Sequence, residues 1–239
     1  MSVLHSVANG VATLTLNRPE SRNALNLEMC DRLIAVALEF SSNSEVKLVL
    51  VRANGPVFCA GADLKERQGM SAAQVRERRM KGFAAYAALE ALPMPAIAVV
   101  QGPAVGSGCE IAGACDFIVA TPEASFRTPE ALRGTVGATQ RLPRILGKRL
   151  AKDMMFTGRT LSAEEARGAG LVSRVVSLSD LDSTLEQIKQ IILNAPPESL
   201  RLAKRCIDRG VELDPRGALD AEIAAIDEQL AAGSWMGRK

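Results

Sequence analysis

The sequence predicts an α/β core followed by an all-helical tail. Three observations carry that reading. Short apolar runs at 47–52, 96–100 and 117–120 have the length and composition of buried strands. The stretches between them carry helix start and stop signals. From Ser179 onward no strand candidate remains, and prolines divide the rest into helical segments.

A chain of 239 residues is long enough for one sizeable domain with an appendage. Its apolar share of 47% supports a large core, and aromatics at 3% mean that Ala, Val, Leu and Ile must build it.

In chain order, Val11–Leu16 alternates as a strand does and ends at Asn17-Arg18-Pro19. Asn26 caps a helix reaching about Ser41, with Leu27, Leu33, Ile34, Ala37 and Leu38 as its apolar stripe. Ser71 to Leu92 reads as a long helix stopped by Pro93 and Pro95. Ser162 and Glu165 form a capping box for a short helix that Gly170 ends, and Leu171–Val176 returns to strand. The tail helices span 180–194, 197–210 and 215–232, parted by Ala195-Pro196-Pro197 and Asp214-Pro215. The first is apolar along Leu185, Ile188, Ile191 and Ile192 and needs a surface to pack on, its own core or a neighbouring subunit. The organisation is a core over 1–178 and a helical region over 179–239, where Trp235 is a candidate packing or subunit contact.

A net charge of +2 gives no reason to invoke nucleic acid or a membrane as partner. No apolar run approaches the ~20 residues that span a bilayer. Residues 1–10 lack a signal-peptide pattern, so the expected location is cytoplasmic. Five cysteines without a C-x-x-C pair (Cys30, Cys59, Cys109, Cys115 and Cys206) suit reduced, mostly buried thiols. A histidine relay or histidine-based zinc site would have to use His5, the single histidine, which is instead read as structural or solvent-facing in an N-terminal strand region.

Two segments share a design that suits chemistry at a carbonyl: Phe58-Cys-Ala-Gly-Ala-Asp-Leu-Lys-Glu66 and Gly102-Pro-Ala-Val-Gly-Ser-Gly-Cys-Glu110. In each, a strand or turn passes through small residues toward a helix. Glycine lets the backbone approach a ligand closely, and N–H groups at a helix start can point at an oxygen that gains negative charge. Two such donors on one oxygen form an oxyanion hole. The spacing in the second segment is not the dinucleotide-binding fingerprint. Glu110 falls in the first turn of its helix, and Pro129 suits the first position of another that would carry Glu130. Two carboxylates beside an oxyanion hole can divide acid and base roles between them.

Together with Ser125-Phe-Arg-Thr-Pro-Glu130, Asn17-Arg-Pro19, Asn23-Ala-Leu25 and Ser162-Ala-Glu-Glu-Ala166, these segments resemble the enoyl-CoA hydratase/isomerase (crotonase) family over nearly the whole chain. The resemblance implies a crotonase-like spiral of ββα units with a C-terminal helical trimerisation region, giving a homotrimer or a hexamer. It implies an acyl-CoA substrate, no metal, and no cofactor beyond the coenzyme A that the substrate brings. By position, the oxyanion donors are the N–H groups of Ala62 and Ser107, and Ala24, Ala60, Asp63, Leu64 and Lys65 line the coenzyme A path. Glu110 and Glu130, 20 residues apart, resemble the hydratase pair. The implied reaction is addition of water to a trans-2-enoyl-CoA, giving a 3-hydroxyacyl-CoA, with Glu110 activating water and Glu130 as acid toward the α-carbon.

Two departures bear on that reading. Arg127 replaces the usual glycine, and near Glu130 it would favour the charged carboxylate. The 134–141 loop is shorter than the family's Pro-Gly-Ala-Gly-Gly version. Isomerase, thioesterase or decarboxylase chemistry on the same fold remains open. So does RNA binding through Arg201, Lys204, Arg205 and Arg209, or through Arg76 and Arg79, although no aromatics interleave with these charges.

Overall fold

The computed structural model describes residues 1–233, so Trp235 lies outside the described residues. The strands are β1 (Val3–Ala8), β2 (Val11–Leu16), β3 (Leu48–Ala53), β4 (Ala96–Val100), β5 (Pro103–Val105), β6 (Phe117–Ala120), β7 (Ser125–Arg127), β8 (Thr160–Ser162) and β9 (Arg174–Val175). The helices are α1 (Leu27–Ser42), α2 (Ala72–Glu90), α3 (Ser107–Gly113), α4 (Arg141–Thr157), α5 (Ala163–Gly168), α6 (Leu181–Asn194), α7 (Pro197–Gly210) and α8 (Pro215–Ala231).

A six-stranded sheet runs β1-β2-β3-β4-β6-β9, and a three-stranded sheet runs β5-β7-β8. The β1–β2 hairpin turns through Asn9-Gly10, both at positive φ, the backbone that a tight two-residue hairpin demands. From β2 onward the large sheet is parallel. The units β4-β5-α3 and β6-β7-α4 each give one strand to the large sheet and the next to the small one. This is the expected spiral of ββα units.

Strand alternation explains how the large sheet is buried on both faces. Val49 and Val51 of β3 enter the main core, while Leu48 and Leu50 face the opposite way. There they meet Ile97, Val99 and Val119, and α6 covers them with Leu181, Leu185 and Ile188. By packing, α6 is the tail helix that covers the sheet. Ile191, expected on the apolar face, is 69% exposed, because the stripe begins instead at Leu181. The same drift occurs in α1. Asn26 Oδ1 accepts from the Met29 N–H at 2.9 Å as a cap should, but the buried stripe is Met29, Cys30, Leu33, Val36, Ala37 and Phe40, with Leu38 facing outward.

Capping boxes set two further helix starts. Ser71 and Gln74 box α2, and Ser162 and Glu165 box α5. Strand β9 is shorter than the expected 171–176 segment and pairs only with Val119 and Ala120. Helix α4 has no counterpart in the sequence reading. Pro143 lies in its first turn, and Gly147 (φ 75°, ψ 156°) breaks it into two pieces.

Helices α7 and α8 pack on each other and are tied to the body by ion pairs. Lys204 meets Asp116, and Arg144 meets Glu212 at 3.1 Å. Arg201 pairs with Glu198 and Glu228, and Arg205 with Glu228, so three of the four basic residues noted on α7 are neutralised within the chain. An apolar groove of about 670 Å³ lies between the two helices, and Ile207, Val211, Leu219 and Ile223 are exposed on the hairpin. The His5 ring stands edge-on to Phe40 and within 3.3 Å of Glu39, a structural setting. No helix among the described residues is long and apolar enough to cross a membrane. All five thiols are free, and four are buried. Burial pushes Cys30 up to about 11, and Cys59 and Cys115 up to about 12.

If α6 is the cover of the second sheet face, L185A costs about 2–5 kcal/mol in urea unfolding, the range for emptying a core leucine. I191A stays within about 0.5 kcal/mol of the parent, as an exposed site should. Equal effects of the two would overturn this account of the packing.

Candidate active site

The two glycine-bearing turns meet through the backbone. The Cys59 N–H donates to Pro103 O at 3.2 Å, and the Val105 N–H donates back to Cys59 O at 2.8 Å. On its other side the first turn bridges Leu25: the Leu25 N–H donates to Gly61 O and the Asp63 N–H to Leu25 O, both at 2.8 Å. In a parallel bridge the flanking residues make the bonds and the central residue's N–H points away. Ala62 is that central residue. Its free N–H thus comes from bridge register and not from a helix start. Here the structure corrects the expectation, because residues 64–69 form turns rather than a helix.

Ser107 fits the expectation. It is the first residue of α3, where an N–H has no intrahelical partner. Neither the Ala62 nor the Ser107 N–H donates to the backbone among the described residues, and both residues line one cavity. Glycine is required at the junction. Gly106 sits at φ 52°, ψ −107°, and a β-carbon there would collide with Glu130 Oε1. Its N–H donates to Arg127 O at 2.8 Å, which leads the chain after β7 past the glycine and delivers Glu130 to the cavity.

Glu110 lies in the first turn of α3 and is 7% exposed. Its Oε2 accepts from Arg141 Nη1 at 2.5 Å, while its Oε1 is buried with no hydrogen-bond partner. Glu130 does not stand in a helix led by Pro129. It caps a short 3₁₀ turn over Ala131–Arg133, and its Oε2 is buried and unpartnered. Burial raises both carboxyls above their ordinary range. On Glu110 the Arg141 charge and hydrogen bond oppose that rise, and the Glu130 charge adds to it. On Glu130 the opposition comes from its own backbone N–H and then the charges of Arg133 and Arg79. Arg127 takes no part, since its Nε donates to Gly158 O at 2.7 Å, and it makes no ion pair with Glu130.

Three cavities run in series through this point. The inner one, about 80 Å³, is lined by Ala62, Ser107, Glu110, Glu130 and Tyr86, among others. An outer one of about 450 Å³ shares Ala62 and Glu130 and continues along Ala60 and Leu64. A third of about 290 Å³ shares Glu110 and Tyr86 and is walled by Phe83, Val136 and Arg141. Of the residues expected on the coenzyme A path, Ala60 and Leu64 line the outer cavity, and Ala24, Asp63 and Lys65 line none of the three. Asp63 is engaged by Arg18 at 3.1 Å and by the Lys65 N–H at 3.1 Å, so it holds the loop together. Ala24 O accepts from Arg18 Nη1 at 2.6 Å, and Lys65 is exposed.

Sequence reasoning missed Arg141, Arg67 and Tyr86 as site residues and placed Arg79 only on a candidate RNA-binding face. Arg141 also grips Glu90 with a two-pronged contact at 3.1 and 2.6 Å. The one signal for it was the shortened loop, which ends on this residue.

The raised Glu130 carboxyl has a consequence for stability. A carboxyl that binds its proton more tightly in the folded state contributes stability below the unfolded pKa, about 4.3 for a glutamate, and loses it as pH rises through the folded value. E130Q therefore melts higher than the parent at pH 7, and the two converge near pH 4. Identical melting temperatures at pH 7 would show that no buried charge is being tolerated at this position.

The enoyl-CoA hydratase/isomerase family model matches residues 6–233. A short-chain-enoyl-CoA hydratase of Clostridium acetobutylicum is 38% identical over 91% of this chain and 85% of its own length. An enoyl-CoA isomerase/hydratase of Mycosarcoma maydis is 36% identical over 92% and 85%. The crystal structure of an enoyl-CoA hydratase from Bacillus anthracis superposes with a TM-score of 0.91 at 34% identity, covering 95% of this chain and 90% of that one. The fold is the crotonase fold, and the chain belongs to the enoyl-CoA hydratase/isomerase family.

Proposed function

We propose that the protein is an enoyl-CoA hydratase, adding water to a trans-2-enoyl-CoA to give a 3-hydroxyacyl-CoA. The observation that carries this reading is the pair of carboxylates, Glu110 buried and Glu130 half-buried, each with one buried, unpartnered oxygen, lining the same small chamber as two unspent backbone donors. The N–H groups of Ala62 and Ser107 donate to the thioester oxygen as it takes on enolate charge. Glu110, kept toward its charged form by Arg141, accepts a proton from water as the oxygen adds to the β-carbon. Glu130, lacking a cation bound to it, delivers a proton to the α-carbon. An isomerisation moves one proton between carbons and needs one such carboxylate, whereas hydration uses both.

Coenzyme A enters through the outer cavity past Ala60 and Leu64, with Ala24, Asp63 and Lys65 on the flanking segments. It comes as part of the substrate, and the reaction calls on no metal or further cofactor. The exposed apolar residues of the α7–α8 hairpin support assembly into a trimer or a pair of trimers.

Hydration of crotonyl-CoA and longer enoyl-CoAs, followed by loss of the conjugated double bond, tests the reading. Turnover is expected, with E110Q and E130Q each lowering kcat by about 10²–10⁴. Rapid shift of a 3-enoyl to a 2-enoyl double bond without hydration would replace hydratase by isomerase. R141Q removes the charge that holds the Glu110 carboxyl down, so the acid limb of the kcat/KM–pH profile moves to higher pH. An unmoved limb would separate Arg141 from the base.

A further inference from the structure

We infer that the acyl group of the substrate carries a carboxylate, received by Arg67 and Arg79; this rests on the acyl-CoA reading above. The inner chamber is lined by three arginines, and they differ in kind. Arg78 is 4% exposed and already spent: its Nε donates to Glu66 Oε2 at 2.7 Å, and its guanidinium also donates to Leu25 O. Its neighbour Arg79 and the loop residue Arg67 are half-buried, and neither makes an ion pair or a side-chain hydrogen bond among the described residues. A half-exposed guanidinium at a cavity wall with no partner in the chain is free to take an anion that a ligand brings.

Among the described residues no carboxylate pairs with either Arg67 or Arg79. Glu110, which lines the chamber, is already bound to Arg141, and Glu66 is bound to Arg78. Glu130 feels the charges of Arg79 and Arg133 but makes no ion pair with either, and its Oε2 has no hydrogen bond. Arg67, Arg79 and nearby Arg133 thus leave this end of the cavity system positive.

The phosphates of coenzyme A do not answer the need. The whole pantetheine arm separates them from the thioester; Arg79 lines only the chamber that holds the Ala62 and Ser107 donors, and Arg67 stands where that chamber joins the outer cavity. What reaches Arg79 is the group beyond the thioester, with Arg67 flanking it. A plain hydrocarbon tail would leave both unpaired, whereas a carboxylate a few carbons from the thioester would meet them with charge-assisted hydrogen bonds. The substrate class is a short enoyl-CoA whose acyl chain ends in a carboxylate.

Calorimetric binding of two saturated analogues, butyryl-CoA and glutaryl-CoA, tests this without depending on turnover. The parent protein is expected to bind glutaryl-CoA at least about tenfold more tightly. In R79Q and R67Q that preference falls toward one, while continued butyryl-CoA binding reports an intact fold. A parent that does not distinguish the two overturns the inference, as do variants that lose both ligands by the same factor, which would assign the arginines to coenzyme A. Failure of the parent to bind either analogue overturns the acyl-CoA reading itself. With enzyme activity in hand, kcat/KM on the unsaturated pair should show the same preference.

Discussion

The site depends on one close backbone approach, that of residues 59–62 against β5 and the turn after it. The approach is built from main-chain hydrogen bonds, so it specifies position without calling on particular side chains. What it demands is the absence of side chains. At Gly61 (φ 98°) a β-carbon would stand 3.1 Å from Val105 O, and at Gly108 one would stand 2.5 Å from Cys59 O. Within that constraint two N–H groups become free for different reasons. Ala62 is released by the register of a strand bridge, and Ser107 by the start of a helix. An electrostatic device of this sort is preorganised, because neither donor has to leave another partner before it can act.

Charge at the glutamates is arranged around a single guanidinium. Arg141 opens α4 and Glu90 closes α2, so each sits at the end of its helix where the macrodipole opposes its charge. Their mutual contact offsets both penalties and leaves a third prong for Glu110. Three helices are thereby joined at one side chain, and the carboxylate proposed to activate water is fixed to the scaffold. Glu130 has no such tether, and that difference separates two residues of the same chemical type.

Much of this architecture is legible in the sequence. The tail helices fall within a residue or two of their predicted limits because prolines and a capping aspartate separate them, and Asp214 accepts from the Gly217 N–H at 2.8 Å. The buried strands declare themselves as apolar runs. The three-residue strands of the small sheet are too short to show a period, and α4 is disguised by Pro143 and by the kink at Gly147. At the site, both glutamates and both backbone donors were readable, since the glycines that surround them mark where backbone must come close. The arginines were not. Arg78 and Arg79 are adjacent and chemically identical, and only the fold decides that one is neutralised by Glu66 while the other faces the chamber. The contact between Arg141 and Glu110 spans 31 residues and likewise belongs to tertiary structure alone.

The buried thiols give the chain a clock of its own. Only a thiolate attacks an alkylating reagent or a disulfide, and with Cys30 pushed up to about 11 its charged fraction at pH 7 is about 10⁻⁴. Cys59 and Cys115, pushed up to about 12, are quieter still. These positions sample different layers: helix α1, the segment that presents Ala62, and the turn that follows α3. In an opened chain each thiol regains ordinary reactivity. The order in which the cysteines become labelled therefore records the order in which those layers come apart, with no probe added to the protein.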